Sequence, residues 1–151
     1  MYLFFDTETT GIPRNYKAPA SDLKNWPRLV QIAWLLADGE NNEIESAEHI
    51  VRPDGYTIPE DAARVHGIST EMAVKEGVEL KVVLAAVSAG LSKASALFAH
   101  NIAFDEKILG AEFLRAGLAN LVETKPRRCT MLESTHAEPS GLWQWPQFAC
   151  M

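Results

Sequence analysis

The chain opens on an apolar run, Tyr2-Leu3-Phe4-Phe5, that turns polar at Asp6 and breaks at Gly11, the pattern of a strand leaving a core for a turn. Residues 10 to 28 carry Gly11, Pro13, Pro19 and Pro27 among polar residues and read as a long surface loop. Such a length is uncommon inside a compact domain and often functional. Val30, Ile32, Trp34 and Leu36 then alternate as one face of a second strand, and "DGENN" at 38–42 turns the chain into a third strand over 43–52. The opening therefore predicts an antiparallel meander of three strands.

Helical spacing takes over after Pro53-Asp54-Gly55. Pro59 suits the start of a short helix over 60–65 that His66-Gly67 closes, and Ser69 or Thr70 can cap a second. Leu80, Val83, Leu84, Val87 and Leu91 fall on one stripe of a third helix. "ALFAH" at 96–100 reads as a short buried strand, Ala103 to Ala116 as a helix ended by Gly117, and "RRCTM" as a last strand. A hairpin meander followed by alternating strands and helices predicts an α/β domain with a mixed sheet, one domain over residues 1–151. Pro146, after "WQW", looks like the first position of a new helix with only one turn of chain behind it, too little to sustain a helix.

Composition narrows the setting. A chain of 151 residues, 47% of them hydrophobic, can bury one real core. No apolar run approaches the roughly 18 residues of a membrane span, and Asp6 and Glu8 interrupt the first apolar stretch too early for a signal peptide. Cys129 and Cys150 fit neither a disulfide framework nor a zinc spacing, so a reducing cytoplasmic setting is the expectation. The formal charge of −6 argues against a broad basic face that coats nucleic acid, although an enzyme can still meet a few phosphates locally. Two segments are locally basic: Arg14, Lys17, Lys24 and Arg28 against the single Asp22, and Lys125, Arg127 and Arg128 beside Glu123. Solvated surface accounts for both as readily as ligand binding does.

Strand alternation puts Asp6 and Glu8 on one face, two like charges side by side, so a cation or water is expected between them. Three readings compete. The pair can be a solvated strand end. It can belong to a phosphatase of the haloacid dehalogenase kind, but that chemistry needs D-x-D, and the second acid here is the longer Glu8. It can also hold Mg²⁺, a hard cation that takes carboxylate oxygens and substrate phosphate, with two ions about 4 Å apart serving phosphodiester hydrolysis. "AHNIAFDEKIL" at 99–109 bears on the choice. It places Asp105 just inside a helix that follows a strand end, the side of an α/β sheet where ligands gather. Ordinary helix-start chemistry, with Asn101 as N-cap and Asp105 and Glu106 in the first turn, explains the same residues.

"FDTETTG" and "HNIAFD" resemble the first two motifs of the DEDD superfamily of 3′–5′ exonucleases, particularly relatives of the proofreading epsilon subunit of bacterial DNA polymerase III. "IPEDAARVHGIS" at 58–69 is similar to the segment between those motifs, and "RRCTM" and "WQWPQF" to later landmarks. The resemblance implies a ribonuclease H-like fold with a mixed five-stranded sheet flanked by helices. It also implies removal of nucleotides from the 3′ end of DNA or RNA with Mg²⁺ or Mn²⁺, and a polymerase partner. Carried over by residue, Asp6, Glu8 and Asp105 become the catalytic metal ligands. Thr9, Thr10 and Gly11 become the turn beside the terminal nucleotide, and His66, Asn101 and Phe104 substrate or site-shaping residues.

The family's third motif, His-x4-Asp or Tyr-x3-Asp, is not in the sequence. Asp105 is the last aspartate, the only later histidine is His136 with Gly141 five residues on, and no tyrosine follows Tyr56. The stub after Pro146 makes truncation the expectation, with impaired hydrolysis and self-association through an exposed C-terminal edge. A non-catalytic nucleic-acid-binding or polymerase-associated module is the alternative.

Overall fold

The computed structural model describes residues 1–134; His136, Gly141, "WQWPQF" and the one-turn helix expected after Pro146 lie outside the described residues. Strand β1 (Tyr2–Thr9) pairs antiparallel with β2 (Leu29–Ala37), which pairs antiparallel with β3 (Glu43–Ile50). On its other edge β1 runs parallel to β4 (Ala96–Ala99), and β4 to β5 (Arg127–Cys129), giving the order β3-β2-β1-β4-β5. The apolar opening run is thus the central strand, buried from both edges. This is the α/β fold with a mixed five-stranded sheet flanked by helices.

The helices follow the stripes in the sequence. Helix α1 (Glu60–His66) ends at Gly67, which takes the left-handed φ of 79° and returns its N–H to the Ala63 carbonyl. Helix α2 (Thr70–Glu76) is capped by Ser69, whose hydroxyl accepts the Met72 N–H at 3.1 Å. Helix α3 (Leu80–Lys93) buries Val83, Leu84, Val87 and Leu91. Its Gly90 lets it approach the sheet so closely that a Cβ there would stand 3.1 Å from Leu3 and 3.3 Å from Trp34. Helix α4 (Ile102–Arg115) buries Ile108, Leu109 and Phe113 in the same core. "RRCTM" divides: its first three residues form β5, and Thr130 starts the short helix α5 (Thr130–Ser134).

A smaller apolar cluster of Val30, Ile58, Ala62, Ile68 and Ala73 seats α1 and α2 against the β2 side of the sheet. That placement brings the end of α1 over the polar end of β1. Among the described residues no helix is long and apolar enough to cross a membrane.

Candidate active site

The parallel pairing of β1 with β4 stops at Phe4 and Phe98, while β1 continues to Thr9. The start of α4 occupies the space alongside this overhang. Thr7 therefore has a free strand N–H, and it donates to Asp105 Oδ1 at 3.1 Å while its hydroxyl donates to the same oxygen at 2.6 Å. Residues 98 apart are locked together at the tip of the central strand, and Asp105 is left 3% exposed. Thr7 and Thr9 face the buried side of β1; Asp6 and Glu8 share the opposite, more open side, as strand alternation requires.

The three carboxylates repel one another through Asp6. Burial pushes the Asp105 carboxyl up to about 7, with the Asp6 charge adding to the rise and the Thr7 hydroxyl and N–H opposing it. Asp6 is raised by desolvation against the pull of His100 and the Thr7 amide. Glu8 is raised by desolvation and then by Asp6. No Lys or Arg is paired with any of the three among the described residues. The same residues contain no group of three His, Cys, Asp or Glu side chains already gathered as a metal cage. The donor set still suits a hard divalent cation: carboxylate oxygens only, with Asp6 raising both of the others and Asp105 fixed by Thr7.

Beside this acidic end lies a groove of about 200 Å³. Five residues singled out from the sequence meet in it: Glu8, Thr9, Gly11, His66 and Phe104. Gly11 has φ of 151°, a backbone conformation that residues with a Cβ rarely adopt, and its carbonyl accepts the Thr9 hydroxyl at 2.7 Å. His66 Nδ1 accepts the Ile68 N–H at 3.2 Å, and Nε2 is buried without a hydrogen-bond partner. Desolvation lowers the His66 pKa, favouring the neutral ring.

Four of the expected residues do not line the groove: Asp6 and Asp105, which lie at the acidic end beside it, and Thr10 and Asn101. Thr10 is tied to Arg28, its N–H donating to the Arg28 carbonyl and its hydroxyl accepting the Arg28 N–H, both at 3.0 Å. Asn101 is the N-cap of α4, but in a left-handed conformation (φ 58°, ψ 48°) with no side-chain cap bond; only its carbonyl serves the helix, accepting the Phe104 N–H. The exposed amide of Asn101 is thus not used in capping.

Several site residues were not singled out from sequence. Thr7 sits between the two acids and faces the other way, so its role appears only once α4 is placed. Ile12 and Val65 line the groove at 76% and 83% exposure, beside motif residues but with no pattern of their own. Tyr16 and Trp26 flank Phe104, each with ring centroids 6.4 Å away. The long loop is therefore not mere surface: it supplies the far wall behind the groove. It is held by Arg115, which donates to the carbonyls of Leu23, Trp26 and Pro27, and by the fully buried Glu112, which binds Arg28, Arg115 and the Leu29 N–H.

A central strand ending in paired acids, a buried helix aspartate beside it and a groove of mixed polar and apolar lining make up the candidate site. The family model for the exonucleases of the RNase T type matches residues 3–140, and the chain belongs to that exonuclease family. Its fold is similar to E. coli exonuclease I in complex with a dT13 oligonucleotide, with a TM-score of 0.73 and 24% identity over 96% of this chain and 31% of that one. A zinc-bound exonuclease I–ssDNA complex from E. coli is similar at TM-score 0.72 and 23% identity, covering 97% of this chain and 31% of that one. Exonuclease I from Methylocaldum szegediense is similar at TM-score 0.74 and 22% identity, covering 96% of this chain and 31% of that one. The chain thus spans about a third of the length of these solved relatives. No curated protein matches it significantly.

Proposed function

We propose that this chain is a divalent-metal-dependent nuclease domain that removes nucleotides from the 3′ end of single-stranded nucleic acid. The observation that carries the reading is the buried Asp105, clamped by Thr7 at the tip of β1 and crowded by Asp6, in a chain of the exonuclease family. Asp6, Glu8 and Asp105 are the residues that would hold Mg²⁺ or Mn²⁺. When bound, such an ion supplies charge neutralisation and polarisation of the scissile phosphate.

The remaining work falls to the chain itself. Thr7 fixes the plane of the Asp105 carboxylate, so that group need not reorganise when substrate arrives. The turn at Gly11 presents backbone to the groove without a side chain in the way. Phe104, backed by Tyr16 and Trp26, offers a flat apolar face to a terminal base, and Ile12 and Val65 offer its opposite wall. Stacking of this kind tolerates any base, which suits an enzyme that trims without regard to sequence. The oligonucleotides bound in the E. coli relatives are single strands of dT and dA, in keeping with such a groove.

The sequence carries no His-x4-Asp, so the general base of the family's histidine branch is not in this chain. Residues 1–151 taken by themselves are therefore expected to bind metal and strand more completely than they turn strand over, by about 10²–10⁴-fold where nothing else supplies the base. The same gap is what favours the second reading, a non-catalytic binding module. An oligothymidylate labelled at its 5′ end, incubated with Mn²⁺ and excess protein, separates the two. Slow appearance of a ladder shortened from the 3′ end, lost in Asp6→Asn, supports the nuclease. Strand retention with no ladder at any protein concentration supports the binding module.

A further inference from the structure

The two basic segments of the sequence have different fates. Arg28 is bound by Glu112, Arg127 pairs with Glu106 at 3.0 Å, and Lys125 donates to the Ala94 carbonyl at 2.8 Å. Arg14, Lys17 and Lys24 make no ion pair and no side-chain hydrogen bond among the described residues, and all three are exposed. Arg14 and Lys24 line a separate pocket of about 260 Å³ with Asn25 and Asp22. In a protein of net charge −6, these two cations thus stand on the walls of one concavity with no protein partner among the described residues and only Asp22 as a neighbouring acid in its lining.

The pocket is built on a fixed frame. Asn15 N–H donates to Asn25 Oδ1 at 2.8 Å and Asn25 Nδ2 returns a bond to the Asn15 carbonyl at 2.9 Å, closing the loop across its width. Trp26 Nε1 donates to the Pro19 carbonyl at 2.9 Å, and Arg115 holds the carbonyls of Leu23 and Trp26 at 2.6 Å each. The cations therefore stand on pre-ordered backbone, and a ligand need not order the loop in order to bind. Chain connectivity also places the pocket next to the groove. Ile12 lines the groove and Arg14 lines the pocket, two residues on, with their Cα atoms at most about 7 Å apart.

We infer that the Arg14–Lys24 pocket is a second subsite that holds a backbone phosphodiester of the nucleic-acid strand whose 3′ end lies in the groove. The inference rests on the nuclease reading and extends it to the strand behind the cleaved nucleotide. Two cations against Asp22 leave the pocket one net positive charge, matched to the single charge of each diester along a strand. Lys17, on the same loop, extends the positive surface. Such contacts position a strand without reading its bases.

The test compares the chain with Arg14→Ala/Lys24→Ala, following binding of a 5′-fluorescent oligothymidylate about 12 nucleotides long with Ca²⁺ present. Thymidine monophosphate serves as a competitor that reaches the groove alone. The double variant is expected to bind the oligonucleotide about tenfold more weakly at low salt, with the slope of log affinity against log salt reduced by about 0.7, the value for one lost phosphate contact on a single strand. Its affinity for the monophosphate is expected to be unchanged, and Arg14→Lys/Lys24→Arg is expected to restore oligonucleotide binding. Unchanged oligonucleotide affinity and slope in the double variant would overturn the subsite while leaving the nuclease reading intact. An equal loss for the monophosphate would overturn it too, by placing both cations at the groove. A chain that binds no oligonucleotide at all would overturn both readings.

Discussion

Helix α4 carries two buried acids seven residues apart, and their surroundings are opposite. Glu112, with no exposed surface, is saturated by Arg28 at 2.9 Å, Arg115 at 2.8 Å and the Leu29 N–H at 3.1 Å. Asp105, 3% exposed, has the two Thr7 donors on one oxygen, no cation, and the Asp6 charge beside it. Burial of charge is costly in both places. At Glu112 the fold offsets that cost internally, which marks a structural keystone. At Asp105 only the two Thr7 donors offset it and no cation among the described residues does, which makes this acid a candidate functional group.

Removing the compensated acid should have the largest effect. Glu112→Ala leaves Arg28 and Arg115 without a counter-charge in the interior and frees the long loop, and is expected to cost about 3–5 kcal/mol of stability in urea denaturation. Stability within about 1 kcal/mol of the wild type would mean that Glu112 is not the keystone described.

Asp105→Asn should move stability the other way. The amide oxygen keeps both Thr7 bonds while the repelled charge, a penalty of about 4 kcal/mol at pH 8, is gone. The buried amide NH₂ returns about 1–3 kcal/mol of that, so the metal-free variant is expected to be more stable than the wild type by about 2 kcal/mol. The sign follows from protons. The native carboxyl titrates near 7 and the unfolded one near its ordinary 3.8, so the native state holds the extra proton between those values. Wild-type stability without metal should therefore fall as pH rises from about 4 to 7, with Asp6 and Glu8 adding in the same direction, and flatten above. Thermal melts across that range should show a shallower fall in Asp105→Asn. Parallel pH profiles for the two proteins would contradict the assignment.

The smallest change is Thr7→Val, which keeps the strand N–H on Asp105 and deletes the 2.6 Å hydroxyl bond. It is expected to cost about 1–2 kcal/mol and to raise the Asp105 carboxyl further, weakening Mn²⁺ binding near neutral pH. Unaltered Mn²⁺ affinity at pH 7 would show that the clamp does not prepare the carboxylate.

The same comparison explains what could be read in the chain. Asp6 and Glu8 announce themselves because the apolar run of β1 breaks into acid within the strand, and Asp105 because it opens the helix that follows β4. The helices were legible from Leu80 to Leu91 and from Ala103 onward because amphipathic stripes are local. Glu112 was not, since within "LGAEFLRAG" it looks like an ordinary solvated helix residue, and its partner Arg28 is 84 residues away. Nor could the two basic segments be sorted by charge alone. What separates Arg28 from Arg14 is a buried carboxylate reached only in three dimensions. Ile12 and Val65 escaped notice for a related reason: they are 53 residues apart in the chain and share the groove only in three dimensions.

The central claim, that Asp6, Glu8 and Asp105 form a divalent-metal site around a buried acid clamped by Thr7, is tested most directly by calorimetric titration of Mn²⁺ at pH 8 into the wild type, Asp6→Asn and Asp105→Asn, each shown to be folded by its melt. The account predicts saturable binding that raises the melting temperature of the wild type and is lost in both variants, Asp105→Asn being the more stable protein before metal is added. Equal Mn²⁺ affinity in all three, or a folded wild type that takes up no Mn²⁺, would contradict it.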